Sequence, residues 1–340
     1  MRMMLMRYFR TIILISGIVF LSSGYALALT VSPVKLELAS DPGGTVAGEF
    51  QLYNEQQEIK TLYSSYENFE ARGEAGTPTF IPGEEGLATW IKTSSQITLK
   101  PGDRKIIPFS ITIPKNADPG GYFAAVFWST TPPQERGGGQ VAVSAKVGIL
   151  VLLKVSGATK EGGGLLEFGG QNKQNFFSSL PITFMYRFQN SGSDRIKPDG
   201  KIKIKNLFGG ITATLPANKT LGNVLPGSIR KFEVMWTGGE DRDESTRIKP
   251  QIASEADQKL GFFGMVVKEW RNFTFGRYTA NLNLKYGQDN KEAAANYSFF
   301  VIPWQLLSVL LAMVAVLGCI AFIGIKKYNR WIIAKAIGSR

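Results

Sequence analysis

Gly48-Glu49-Phe50-Gln51-Leu52-Tyr53-Asn54 alternates. Phe50, Leu52 and Asn54 fall on one side of an extended chain, Glu49, Gln51 and Tyr53 on the other. A period of two is that of a half-buried strand. Downstream, Lys100-Pro101-Gly102-Asp103 supplies a turn, because proline presets φ and glycine accepts a positive φ. Ile107, Phe109, Ile111 and Ile113 alternate from that turn into Pro114. Asp118-Pro119-Gly120-Gly121 then turns the chain into Tyr122-Phe123-Ala124-Ala125-Val126-Phe127-Trp128. Upstream, Val34, Leu36 and Leu38 alternate before Asp41-Pro42-Gly43-Gly44. The β-rich stretch Val141–Val155 reads as one bent strand, or as two meeting near Gly148. Short strands and turns at this spacing, with no helix signal, predict a β-sandwich over residues 29–157.

The same order of signals returns in the second half of the chain. Phe184-Met185-Tyr186-Arg187-Phe188-Gln189-Asn190 matches the strand ending at Asn54. Leu225-Pro226-Gly227-Ser228 and the strand Lys231–Trp236 match the Pro101-Gly102 turn and its strand. Gly276-Arg277-Tyr278-Thr279-Ala280-Asn281-Leu282 matches Gly121–Phe127. Two copies of one unit explain this order. The fold expected is therefore all-β: two tandem immunoglobulin-like β-sandwiches, residues 29–157 and 158–300. Glycine-rich Gly157–Gly164 is the expected linker. An insertion at 239–271 has no counterpart in the first copy. It reads as a loop, polar at Glu240–Glu244 and apolar near Phe262–Val267, with one short helix over Ala253–Leu260.

Both ends carry membrane signals. Arg2, Arg7 and Arg10 precede an apolar run from Thr11 to Leu21, and Ala26 and Ala28 fit a small-x-small cleavage pattern. Residues 1–28 are expected to be a signal peptide. Val301–Ile325 holds 25 uncharged residues, enough to cross a ~30 Å hydrocarbon core with some tilt. Trp304 stands at one edge, Tyr328 and Trp331 at the other, and Lys326, Lys327 and Arg330 follow. This pattern predicts a transmembrane helix at 301–325, a basic cytoplasmic tail at 326–340, and an extracytoplasmic body. The two ends together carry eight of the formal net charge of +12. The basic balance is thus a topology signal and argues against a nucleic-acid partner.

The chain has no histidine and a single cysteine, Cys319. That composition excludes a Ser-His-Asp triad, a Cys-His pair, a zinc site of the usual ligands and an intrachain disulfide. Neither a cofactor nor a metal site is expected. Glu84-Glu85 and Asp241-Asp243-Glu244 read as exposed turn acids, and Glu135-Arg136-Gly137-Gly138-Gly139 as a hairpin lacking the residues of a phosphate loop. No catalytic residue is expected.

Lys201-Ile202-Lys203-Ile204-Lys205 has two readings. At strand period the three lysines share a face, which suits an anionic polymer. The same lysines also suit an edge strand guarded against aggregation, and that reading is preferred. Tyr122, Phe123, Phe127 and Trp128 are mostly core by alternation, with one side free to stack on sugars.

The order Ser32-Pro33-Val34, Asp41-Pro42-Gly43-Gly44, Asn54, Leu99-Lys100-Pro101-Gly102, Ile113-Pro114 and Gly120-Gly121-Tyr122 resembles the N-terminal domain of the WxL-interacting proteins of Gram-positive cell surfaces. The resemblance implies two immunoglobulin-like domains on one C-terminal span, the first associated with peptidoglycan and the second with surface or host partners. The insertion at 239–271 departs from that pattern. The expected function is a non-enzymatic, membrane-anchored binding protein that holds a cell-wall polymer, through Lys201, Lys203 and Lys205, or another surface protein. The alternative is an envelope assembly or chaperone-like factor that works by β-strand addition.

Overall fold

The computed structural model describes residues 29–132, 146–238 and 260–337. The chain forms two compact units. The first ends at Gly157; the second begins at Ala158 and also takes in Glu70–Thr79.

The first unit packs two sheets on one core. One sheet has the order β1 (Leu29–Ser32), β3 (Thr45–Asn54), β8 (Arg104–Thr112), β6 (Ile91–Thr93). The other has the order β2 (Lys35–Ser40), β10 (Lys146–Val155), β9 (Gly120–Ser129), β4 (Lys60–Ala71), β5 (Pro78–Pro82), with β7 (Gln96–Leu99) also paired to β4. The alternation read in the sequence fills the interior. Phe50 and Leu52 meet Ile107, Phe109 and Ile111 across β3 and β8, and Trp128, Val151 and Leu153 close the core from the opposite sheet. Burial of such side chains at about 25 cal/mol per Å² is what holds the sheets together. A one-turn helix, α1 (Leu87–Trp90), interrupts the strands.

The second unit repeats this wiring. Its sheets run β11 (Gly163–Gly170), β13 (Ile182–Asn190), β16 (Ile229–Trp236), and β12 (Phe176–Phe177), β18 (Lys291–Val301), β17 (Gly276–Tyr286), β14 (Asp199–Asn206), β15 (Ile211–Pro216). In both units the last strand pairs antiparallel with its predecessor and parallel with a short strand near the start: β10 with β2, and β18 with β12. The core is more aromatic, with Phe184, Tyr186 and Phe188 packed against Trp236, Tyr278 and Phe299. The internal repeat expected from the sequence is thus a repeat of strand order and direction.

Two expectations need correction. The linker is shorter than Gly157–Gly164, because Gly163 already pairs with Asn190 in β11. Near the end of the insertion stands a helix not expected from the sequence, α2 (Phe262–Arg271), while the helix expected over Ala253–Leu260 falls almost wholly outside the described residues. Leu260 lies outside any helix, and residues 239–259 lie outside the described residues. The apolar C-terminal helix, α3, runs from Trp304 to Ile337 and is longer than 301–325. Val301 itself ends strand β18. The signal peptide at 1–28, the Glu135–Gly139 hairpin and the acids Asp241, Asp243 and Glu244 also lie outside the described residues.

Candidate partner-binding surfaces

The N-terminal strand changes sheets. β1 pairs with β3 only over Leu29–Ser32, opposite Asn54–Gln51. After the Ser32-Pro33 bond the chain crosses, and β2 pairs with β10 from Lys35 onward. The crossing leaves two half-edges. Among the described residues, Thr45–Phe50 of β3 has a partner on its β8 side alone. Lys146–Ile149 of β10 has a partner on its β9 side alone. Val34, at the crossing, is an exposed apolar side chain.

Unpaired strand edges invite another strand, and proteins normally blunt them with proline or charge. β5 begins and ends in proline, β16 carries Arg230, Lys231 and Glu233, and β6 is three residues long. Thr45-Val46-Ala47-Gly48-Glu49-Phe50 has no proline, no lysine and one acid. Its alternation is intact, with Phe50 inward and Thr45, Ala47 and Glu49 exposed. Gly48 is fixed by packing, since a Cβ there would lie 2.6 Å from Cζ of Phe109.

The lysine stripe lies elsewhere. Lys201, Lys203 and Lys205 sit on β14 with Ile202 and Ile204 fully buried on the opposite face, as the alternation predicts. The edge-guard reading fails, because β14 has β17 on one side and β15 on the other. Across the ladder, Lys201 is opposite Asn283, Lys203 opposite Asn281 and Lys205 opposite Thr279, while Asn281 pairs in turn with Asn296. The result is a flat face of cations and amides. It can attract a polyanion by charge and hydrogen-bond it with carboxamides.

The remaining sequence candidates are accounted for by structure. Trp128 is core. Phe123 and Phe127 lie on the other face of their sheet and are engaged there: Phe123 against Phe69, Phe127 against Phe80 and beneath the Lys146 ammonium at 4.0 Å. Tyr122 donates to the Asp118 carbonyl at 3.0 Å and touches Trp90. Burial raises its pKa above the ordinary tyrosine value, and the nearby Asp118 charge adds to that. Each of these rings thus has an aromatic or cationic neighbour of its own or lies in the core. Glu85 accepts from Asn68 through its backbone carbonyl, and no group of three metal-ligating side chains occurs among the described residues. Sequence reasoning missed the half-edges because sheet switching depends on where one strand leaves its neighbour. Ser32-Pro33-Val34 was the available signal, since proline interrupts a ladder.

No family model and no curated protein matches the chain. Among solved structures it is similar to the class 5 fimbriae chaperone CfaA, at 12% identity over 79% of this chain and 99% of that one, with a TM-score of 0.35. It is also similar to the E. coli chaperone DraB, at 8% identity over 80% and 97%, TM-score 0.33. A third is the Pseudomonas aeruginosa CupB2 chaperone, at 6% identity over 78% and 98%, TM-score 0.31.

Proposed function

We propose that this chain is a non-enzymatic protein anchored in the cell membrane by α3, with two immunoglobulin-like sandwiches on the extracytoplasmic side. Its first sandwich engages a partner protein by β-strand addition. The observation that carries this reading is the crossing at Ser32-Pro33, which leaves the unguarded Thr45–Phe50 edge with one ladder side unfilled among the described residues. Backbone hydrogen bonds along such an edge give affinity, and the alternating pockets of β3 give specificity. Six residues of new ladder suit a reversible, assembly-type contact. The anchor reading is supported by the 28-residue helical segment Trp304–Trp331, whose most apolar 18 residues are almost entirely unburied by the rest of the chain.

The placement of Lys201, Lys203 and Lys205 inside a polar sheet face favours a second reading, in which the second sandwich holds an anionic envelope polymer. Photo-crosslinking in intact cells separates the two. A photoreactive residue replacing Ala47, exposed on the β3 edge, is expected to give a discrete protein adduct; the same residue at Thr214, beside Lys203, is expected to give none. Adducts from position 214 alone would overturn strand addition and move the function to the lysine face.

A further inference from the structure

We infer that the base of the second sandwich is a lipid-facing foot, with α2 lying in the headgroup layer of the membrane. The inference rests on the reading that α3 spans that membrane. It starts from the inverted amphipathicity of α2. Phe263, Val267 and Trp270 are spaced i, i+4 and i+7 and so share one stripe of the helix. They are 77%, 51% and 68% exposed, while the carboxylate residue of the same helix, Glu269, is fully buried. In water a surface helix turns its apolar stripe inward and its charge outward. The opposite arrangement is stable where the medium outside the stripe is itself apolar.

Glu269 also fixes where that medium is. Its Oε2 accepts the Leu306 N–H at 2.7 Å. That N–H belongs to the first turn of α3, whose opening N–H groups have no partner within the helix. The carboxylate supplies one and meets the positive end of the helix dipole. Phe262 stacks edge-on to Trp304, with ring centroids 6.2 Å apart. α2 is therefore tied to the first turn of α3, at the level of Trp304.

The length of α3 sets that level in the bilayer. From Trp304 to Trp331 there are 28 residues, about 42 Å at 1.5 Å per residue. This equals the ~40–45 Å of a bilayer with its headgroups, so the two tryptophans stand at the two interfaces, where tryptophan is favoured. Besides the stripe of α2, Phe262, Trp304, Leu307 and Leu311 are exposed apolar side chains at this level of the chain, and Phe262 touches Trp304. A bilayer that takes α3 meets α2 at headgroup depth.

A second part of the fold agrees. The β14–β15 hairpin tip presents Phe208, 93% exposed. Asn206, next to that tip, pairs with Tyr278, and Tyr278 pairs with Phe299, two residues before β18 ends. The tip therefore stands at the same end of the sheet as the start of α3. Lys268 and Arg271 on α2 lie in its last turn, where basic side chains meet anionic headgroups. The occupant assigned to this surface is the outer face of the membrane.

The test uses the full chain with Cys319→Ser, reconstituted at one copy per lipid nanodisc so that a second copy cannot cover the surface. A nitroxide is placed singly at Val267→Cys, Phe208→Cys, Ala294→Cys or Val314→Cys. Position 294 is exposed and on the far half of the sheet, and 314 is within α3. The expected result is loss of collision with a water-soluble relaxation agent at 267 and 208 relative to 294, with gain of oxygen collision intermediate between 294 and 314. If 314 is lipid-buried while 267 is as water-accessible as 294, the foot is refuted and the span stands. If 314 is itself water-accessible, the span and the foot fall together.

Discussion

Asn54 and Asn190 occupy matching places in two different units and make closely parallel hydrogen bonds. Each is fully buried at the end of its strand. The Asn54 side-chain amide donates to Glu58 O and to the carbonyls of Leu99 and Lys100, while its Oδ1 accepts from Gln56 N–H. The Asn190 amide donates to Asp194 O and Val224 O, and its Oδ1 accepts from Gly192 N–H. Even the backbone matches: Asn54 N–H donates to Asp103 O and Asn190 N–H to Ser228 O, each three residues after the start of its Pro-Gly turn. Each asparagine closes its own four-residue loop and clamps the turn to the strand.

The first prediction follows from that clamp. Asn54→Asp and Asn190→Asp keep the shape and remove the two amide donors. Buried carbonyls left without partners cost about 1–3 kcal/mol each. Each substitution should lower the denaturant midpoint markedly, while Asn296→Asp, exposed on β18, should change it little. Equal midpoints for all three would refute the clamp.

Gly48 gives a test of packing at the open edge. Gly48→Val drives a branched side chain into the Phe109 ring, and overpacking of this kind costs about 1–3 kcal/mol. Thr45→Val, exposed on the same strand, should be nearly neutral by chemical denaturation.

The lysine stripe gives the third. Replacing Lys201, Lys203 and Lys205 with Gln should leave the protein's sedimentation unchanged, because β14 is paired on both sides and has no free ladder to expose. Ile202 and Ile204 keep the fold. Any affinity for an anionic envelope polymer should fall, and its salt dependence should weaken with the three charges gone. Self-association of the triple variant would restore the edge-guard reading.

Glu74 gives a pH dependence. The Arg187 guanidinium hydrogen-bonds its carboxylate and holds its pKa below the ordinary 4.5, with further help from the charges of Arg187 and Lys231. A depressed folded-state pKa contributes stability that is present above the unfolded value and is lost as pH falls through the folded one. Glu74→Gln should therefore flatten the acid limb below about pH 4.5 and leave the neutral range with a small loss, since both side chains are about a third exposed. An unchanged acid limb would refute the contribution.

The parts of the fold legible in the sequence are those set by local pattern. Phe50, Leu52, Phe184 and Phe188 point inward because strand period places them there, and Pro101-Gly102 and Pro226-Gly227 turn the chain where their backbone preferences require. What the pattern does not carry is the neighbour. Lys201-Ile202-Lys203-Ile204-Lys205 reads the same in an edge strand as in an inner one, so its place in the sheet order was invisible. The helix over Phe262–Arg271 was missed for a related reason. Phe-Phe-Gly-Met-Val-Val is poor in intrinsic helix formers, and its helix is held by contact with Trp304 and Leu306, far along the chain.

The parallel pairing of an early and the last strand in each unit has a consequence for how the chain is made. Lys35 finds its partner only at Leu150, and Phe176 only at Phe300. Contacts this distant in sequence form late and slow a domain's closure. A chain emerging from a ribosome or a translocation channel N-terminus first must hold its early strands open until the final one is delivered. For the second sandwich that final strand ends at Val301, three residues before Trp304 begins the apolar helix. Under the proposed anchor reading of α3, completing the domain and delivering its anchor are therefore nearly one event in the life of each nascent molecule. A premature stop anywhere in β18 would leave a body that is both unclosed and without its apolar C-terminal helix.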